Sequence, residues 1–141
     1  MRSILLIPHL LLIGGCTLWS GSGTTIDHLE EAERAYRDGR LNQAEAHFIA
    51  LVDAHPSYGY GYFKLGNIHL QKGHYSQAAT YFRQAIQNDP EDPRYWNNLV
   101  IAEYRQAETS LDQANQAFAN QPEKLETFQE LNAHMDRLGQ P

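Results

Sequence analysis

The sequence holds a single cysteine in 141 residues, Cys16. One thiol closes no internal disulfide and builds no cysteine-rich zinc site. Positive charge is also scarce, with 11 lysines and arginines against 17 acids. A nucleic-acid binder carries a basic face, and adhesion to anionic lipid by charge alone needs a polybasic segment, so neither is expected. No apolar run approaches the roughly 20 residues that span a bilayer. The best candidate, Ile4 to Ile13, is interrupted by Pro8 and His9. The motifs of chemistry are missing too. There is no phosphate-cradling glycine loop, no G-x-S-x-G turn and no Cys–His arrangement. His28, His47, His55, His69, His74 and His134 show no HExxH or other tight ligand spacing. Ser57, Ser76 and Ser110 are expected near helix starts, where serine caps. Glu30, Glu31 and Glu33 read as a solvated helix face. The expectation is therefore no enzyme, no metal and no cofactor.

What is present begins with a short positive start, Met1-Arg2-Ser3, then the apolar segment, then the small pair Gly14-Gly15 before Cys16. Charge, apolar core and small residues form the pattern of a secretory signal. The stretch Leu12-Ile13-Gly14-Gly15-Cys16 resembles the lipobox of bacterial lipoproteins. That resemblance implies a signal peptide over residues 1–15 and a lipidated Cys16 as the first mature residue. Its sulfur would carry diacylglycerol and its amine an acyl chain such as palmitate. Two or three acyl chains on one residue anchor stably, whereas one is marginal. Residue 17 is threonine rather than aspartate, which by resemblance to the Gram-negative sorting pattern points to the outer membrane, periplasmic face. Residues 16–25 contain the Gly/Ser-rich stretch TLWSGSGTT, a flexible tether. Trp19 either rests at the membrane interface or is an incidental apolar residue in that linker.

After residue 26, Ala, Gln, Glu, Leu and Asn dominate, as in helices. Gly39, Ala44, Phe48 and Pro56 recur as Gly73, Ala78, Phe82 and Pro90, each 34 residues on. Period and residue types resemble the tetratricopeptide repeat. The strongest copy, 59–92, carries Tyr62, Leu65, Gly66, Gly73, Tyr75, Ala78, Phe82, Ala85 and Pro90 at the signature spacings. Gly66 and Ala78 are small enough for two helices to approach. Tyr62, Leu65, Phe82 and Ile86 fill the space between them. Gly73 reverses the backbone, Pro90 ends the second helix, and Asp92-Pro93 opens the next. The first copy, 25–58, departs at its start: His28 takes the slot of the large aromatic and Glu31 that of leucine. Asn42 and Glu45 form an expected capping box for its second helix. The third copy, 93–121, begins with Trp96 and Leu99, and Tyr104 repeats Tyr36 at twice the period. It then has Ala107 where the turn glycine belongs, so a longer turn and a short second helix are expected. Leu125, Phe128, Leu131, Met135 and Leu138 fall at helical spacing over 122–138. That helix is either a cap on the stack or a partner-binding amphipath. The expected fold is all-α: a helical-hairpin solenoid of about three repeats plus a C-terminal helix, spanning 26–138.

In that family the first helix of each repeat lines the concave side. The resemblance therefore implies a partner-binding groove of Glu33, Tyr36 and Arg37 from the first copy, Tyr60, Phe63, Asn67, Leu70 and Gln71 from the second, and Arg94, Asn97, Ile101, Tyr104 and Arg105 from the third. Several of these, Tyr36 and Tyr104 above all, can instead pack within the solenoid and fill a gap between repeats. Aromatics offer contact area at low entropic cost, asparagine pairs with both polar groups of a peptide unit, and arginine grips carboxylate. Asn67 and Asn98 match the two asparagines with which some such repeats hold a C-terminal carboxylate. Phe63 replaces the first lysine of that clamp, so an apolar or mixed peptide fits better than an acidic tail. The expected partners are a protein or peptide client and, through the lipid, a membrane. The expected function is a membrane-anchored scaffold resembling the small repeat lipoproteins that assist pilus or secretin assembly. An adaptor for cell-wall enzymes and an accessory domain of a cytochrome-maturation complex are the alternatives.

Overall fold

The computed structural model describes residues 25–138. The apolar segment 1–15, Cys16 and Trp19 lie outside the described residues. Among the described residues six helices follow one another: α1 (Thr25–Arg37), α2 (Leu41–Ala54), α3 (Gly59–Gln71), α4 (Tyr75–Asn88), α5 (Pro93–Ala117) and α6 (Pro122–Leu138). There is no strand among the described residues. None of these helices is long and apolar enough to cross a membrane.

The 34-residue period is written into the backbone of the turns. Gly39 and Gly73 have φ of 72° and 75°, a region that costs glycine nothing and other residues strain. Around each, the same pair of hydrogen bonds closes the helix end. Arg40 N–H donates to Ala35 O at 2.9 Å and Gly39 N–H to Tyr36 O at 3.1 Å. His74 N–H donates to His69 O at 2.9 Å and Gly73 N–H to Leu70 O at 3.1 Å. These are two Schellman closures. They fold α1 onto α2 and α3 onto α4.

The hairpins stack through α2 against α3 and α4 against α5. Two apolar clusters result. The first joins Ala32, Ala35, Ala44, Phe48, Leu51, Val52, Leu65 and Ile68. The second joins Phe63, Ala78, Ala79, Phe82, Ala85, Tyr95, Leu99 and Ala102. Helix α3 contributes to both, so it is the shared wall. Its approach to α4 depends on Gly66: a Cβ there would lie 2.4 Å from Phe82 Cε1. The start of α5 also follows the sequence, with Asp92 accepting from Arg94 N–H at 2.9 Å and Pro93 in the first turn.

Three local expectations are corrected. Asn42 and Glu45 form no capping box, because α2 already begins at Leu41 and its N-cap, Arg40, makes no side-chain cap bond. Nor do the serines cap: Ser76 is inside α4, Ser57 lies in the α2–α3 turn, and Ser110 Oγ donates back to Gln106 O within α5. The third repeat has no turn near residue 107. Alanine lacks the left-handed freedom of glycine and is the best helix former, so α5 runs for 25 residues to Ala117. Its partner is α6, which returns antiparallel along the second half of α5. Tyr104 Oη donates to Met135 O at 3.0 Å, Asn115 and Asn132 exchange side-chain bonds at 3.4–3.5 Å, and the Phe118 and Phe128 rings stack at 6.0 Å. Leu125, Phe128 and Met135 are half-buried, while Leu131 is exposed.

Adding a methyl at Gly66 tests the packing. Overfilling a tight core costs about 1–3 kcal/mol, against a helix-propensity gain of about 1 kcal/mol. Gly66→Ala is expected to lower the urea midpoint, and combining it with Phe82→Leu should cost less than the sum of the single changes.

Candidate functional site

The first helices of the hairpins, α1, α3 and α5, share one side of the stack. Their side chains are joined by polar contacts across each gap. Tyr60 Oη donates to Glu33 Oε1 at 2.8 Å, and Lys64 Nζ lies 3.1 Å from Glu33 Oε2. The same ammonium sits 4.2 Å from the centroid of the Tyr36 ring, a cation–π position. Gln71 Nε2 donates to Tyr36 Oη at 2.6 Å. Between α3 and α5, Asn97 Nδ2 donates to Asn98 Oδ1 at 3.2 Å and Asn98 Nδ2 to Asn67 Oδ1 at 2.6 Å. This chain of amides ends in an acceptor on Asn97 and a donor on Asn67, the two functions a peptide unit requires.

The candidate groove residues thus separate into two groups. Asn97, Ile101 and Arg105 are exposed at four-residue intervals along α5, and Gln71 is exposed at the end of α3. Phe63, by contrast, is a core residue, 9% exposed. Its ring lies 4.9 Å from that of Tyr95 and 6.1 Å from that of Phe82. Leu70 packs half-buried against the same cluster. Tyr104 is spent on the α5–α6 contact, and Tyr36 and Tyr60 on α1–α3 contacts. Arg94 is paired with its own helix cap, Asp92, with its guanidinium 5.5 Å from the centroid of the Phe63 ring. Burial, reinforced by the Glu33 carboxylate, raises the Tyr60 phenol above its ordinary value, so it stays a neutral donor.

Three features escaped the sequence. Lys64 is buried between aromatic rings, 9% exposed, and its partner Glu33 is half-buried rather than solvated. Its signal was its place four residues after Tyr60, on the stripe facing α1. Second, Glu45 gathers Lys72 and His69 between the hairpins. His69 is 7% exposed. Its Nε2 is 3.0 Å from Glu45 Oε1 but not aligned for a hydrogen bond, and its ring stacks on Tyr81 at 5.1 Å. Third, His28 and Glu31 on α1 meet His47 on α2, a grouping that spacing within one helix does not reveal.

A tetratricopeptide-repeat model matches residues 29–93 and again 63–121. The chain belongs to the tetratricopeptide-repeat family. The photosystem I assembly protein Ycf3 of Cyanophora paradoxa is 26% identical over 100 residues, 64% of this tetratricopeptide-repeat chain. The chain spans 58% of that relative's length. Among solved structures, the TPR2B domain of yeast Sti1 in complex with pHsp70 superposes with a TM-score of 0.55 at 18% identity. The match covers 81% of this chain and 91% of that one. At that identity the likeness speaks for the fold alone, and it is the family that points to a protein–protein interaction scaffold.

The Glu45 cluster generates a pH prediction. Burial lowers the pKa of His69 and outweighs the attraction of Glu45. Burial also works against ionised Glu45, but Lys72 and His69 outweigh it and hold the carboxyl below its usual range. Both shifts leave the unfolded chain binding more protons than the folded one as pH falls. Stability should therefore decline first below the ordinary histidine value, about 6.5, and again below that of glutamate, about 4.3. Urea midpoints measured against pH should show both declines, and His69→Gln should remove the first and reduce the second, which Lys72 still sustains.

Proposed function

We propose that this chain is a lipid-anchored scaffold that captures an extended segment of a client protein on the α1–α3–α5 side and so assists assembly of an envelope machine. The observation that carries the reading is the exposed stripe Asn97, Ile101 and Arg105, continuous with the amide chain to Asn67. An apolar contact flanked by amides and a guanidinium suits a peptide of mixed character. The family supports a binding role rather than catalysis, and the relative named as an assembly protein supports the same kind of task. The lipobox-like stretch ending in Cys16 supports the anchor. Holding the scaffold at the periplasmic leaflet of the outer membrane would raise its effective concentration near a membrane-bound client. A pilus or secretin follows from resemblance to small repeat lipoproteins. No observation favours the cell-wall or cytochrome-maturation readings over it.

The anchor and the capture surface separate experimentally. Cys16→Ser should move the protein from the membrane fraction to the soluble fraction while retaining client capture in detergent extract. The triple change Asn97→Ala, Ile101→Ser, Arg105→Ala should keep helicity and membrane association. It should weaken capture by roughly 30-fold or more, the scale of one interface hot spot. Phe63→Ala should instead reduce stability by about 3–5 kcal/mol. Capture unaffected by the triple change would place the client elsewhere.

A further inference from the structure

The first hairpin breaks the family's apolar pattern at three places that turn out to be one place. Shifted by 34 residues, His28 corresponds to Tyr62, Glu31 to Leu65 and His47 to Tyr81. In the second hairpin those three positions are apolar or aromatic and pack against the first core cluster. In the first hairpin they are two imidazoles and a carboxylate. His28 and Glu31 stand three residues apart, on one face of α1, and His47 reaches them from α2.

We propose that His28, Glu31 and His47 bind a first-row divalent cation, zinc foremost, which fastens α1 to α2 in the first described hairpin. The three side chains place one ligand atom each within 4.8 Å of one another. His47 Nδ1 is 3.4 Å from Glu31 Oε2. Two ligands on a tetrahedral zinc with bonds of about 2.1 Å stand about 3.4 Å apart, so this edge already has the required length. Small rotations of His28 close the other two. The His28 and His47 rings are 5.8 Å apart, centroid to centroid. His28 Nδ1 is enclosed without a hydrogen-bond partner, a state that native structures rarely leave unexplained.

Two histidines and one carboxylate give the nitrogen–oxygen donor set that zinc, nickel and copper accept. Three protein ligands leave the fourth position to water or an outside group. Glu31 and His47 also border a shallow depression with Arg34, Arg40 and Gln43, which gives that position access to solvent. The two arginines oppose the cation, so the affinity should lie below that of a closed structural site. The metal would do for the first hairpin what Tyr62, Leu65 and Tyr81 do for the second: tie the helices on a face that no other described helix covers.

Calorimetry with zinc chloride on the tag-free, chelator-stripped full chain tests this, in native and Cys16→Ser forms. One zinc per chain in both forms is expected, with a rise in melting temperature. Cobalt(II) should give visible d–d absorption of a low-coordinate nitrogen–oxygen site. Glu31→Gln, at an exposed position, keeps the fold by circular dichroism. With His47→Asn, it should weaken zinc by more than the roughly 10- to 100-fold that loss of an outer supporting contact costs. His134→Ala should change nothing. Absence of stoichiometric zinc binding would overturn the proposal. So would binding lost with Cys16→Ser or His134→Ala, or binding unchanged by both Glu31→Gln and His47→Asn.

Discussion

The contact on which this stack depends is the face of the Phe82 ring against the bare backbone of Gly66. A side chain at residue 66 would occupy the space of that ring. Because α3 is free of bulk there, α4 lies close enough for Phe82 and Leu65 to be wholly enclosed. Helix α3 can then serve two cores at once, one with α1 and α2 and one with α4 and α5. Neither hairpin buries enough alone; a repeat solenoid is stable only because each unit covers its neighbour. The two glycine turns supply the reversals, and the close approach supplies the packing.

The end of the stack shows what happens when this constraint lapses. Val100 stands where Gly66 would recur and Ala107 where Gly73 would. With no close-approach site and no left-handed turn, the chain has no means of folding a second short helix against α5. It continues as helix to Ala117, and α6 packs lower down. Trp96 and Val100, which would face that missing helix, are left 50% and 63% exposed.

Much of this was legible in the residues. The period, the two turns, the Asp92-Pro93 start and the small-against-aromatic packing depend on glycine, proline and alanine at fixed places, and those residues have few alternatives. The replacement of Gly73 by Ala107 is visible as well, but a lost turn glycine reads equally as a longer turn or a longer helix, and here the helix continues to Ala117. The site was less legible. Repeat position places Phe63 on the binding side, yet a half-turn decides whether a ring faces a groove or a core, and here Tyr95 and Phe82 draw it inward. Glu33 and Lys64 read as surface charges because their pairing joins different repeats. His28 and Glu31 read as departures from the repeat pattern, and their meeting with His47 depends on the contact of two helices, which spacing along one helix does not show.

The central claim is that the side shared by α1, α3 and α5 is where a client is held. Site-specific photocrosslinking in living cells addresses it most directly, with a photoreactive residue placed singly at Asn97, Ile101, Ile49 and Gln87. The account predicts a discrete adduct of one client from residues 97 and 101, and none from Ile49 on α2 or Gln87 on α4. Adducts confined to the α2–α4 side would contradict it.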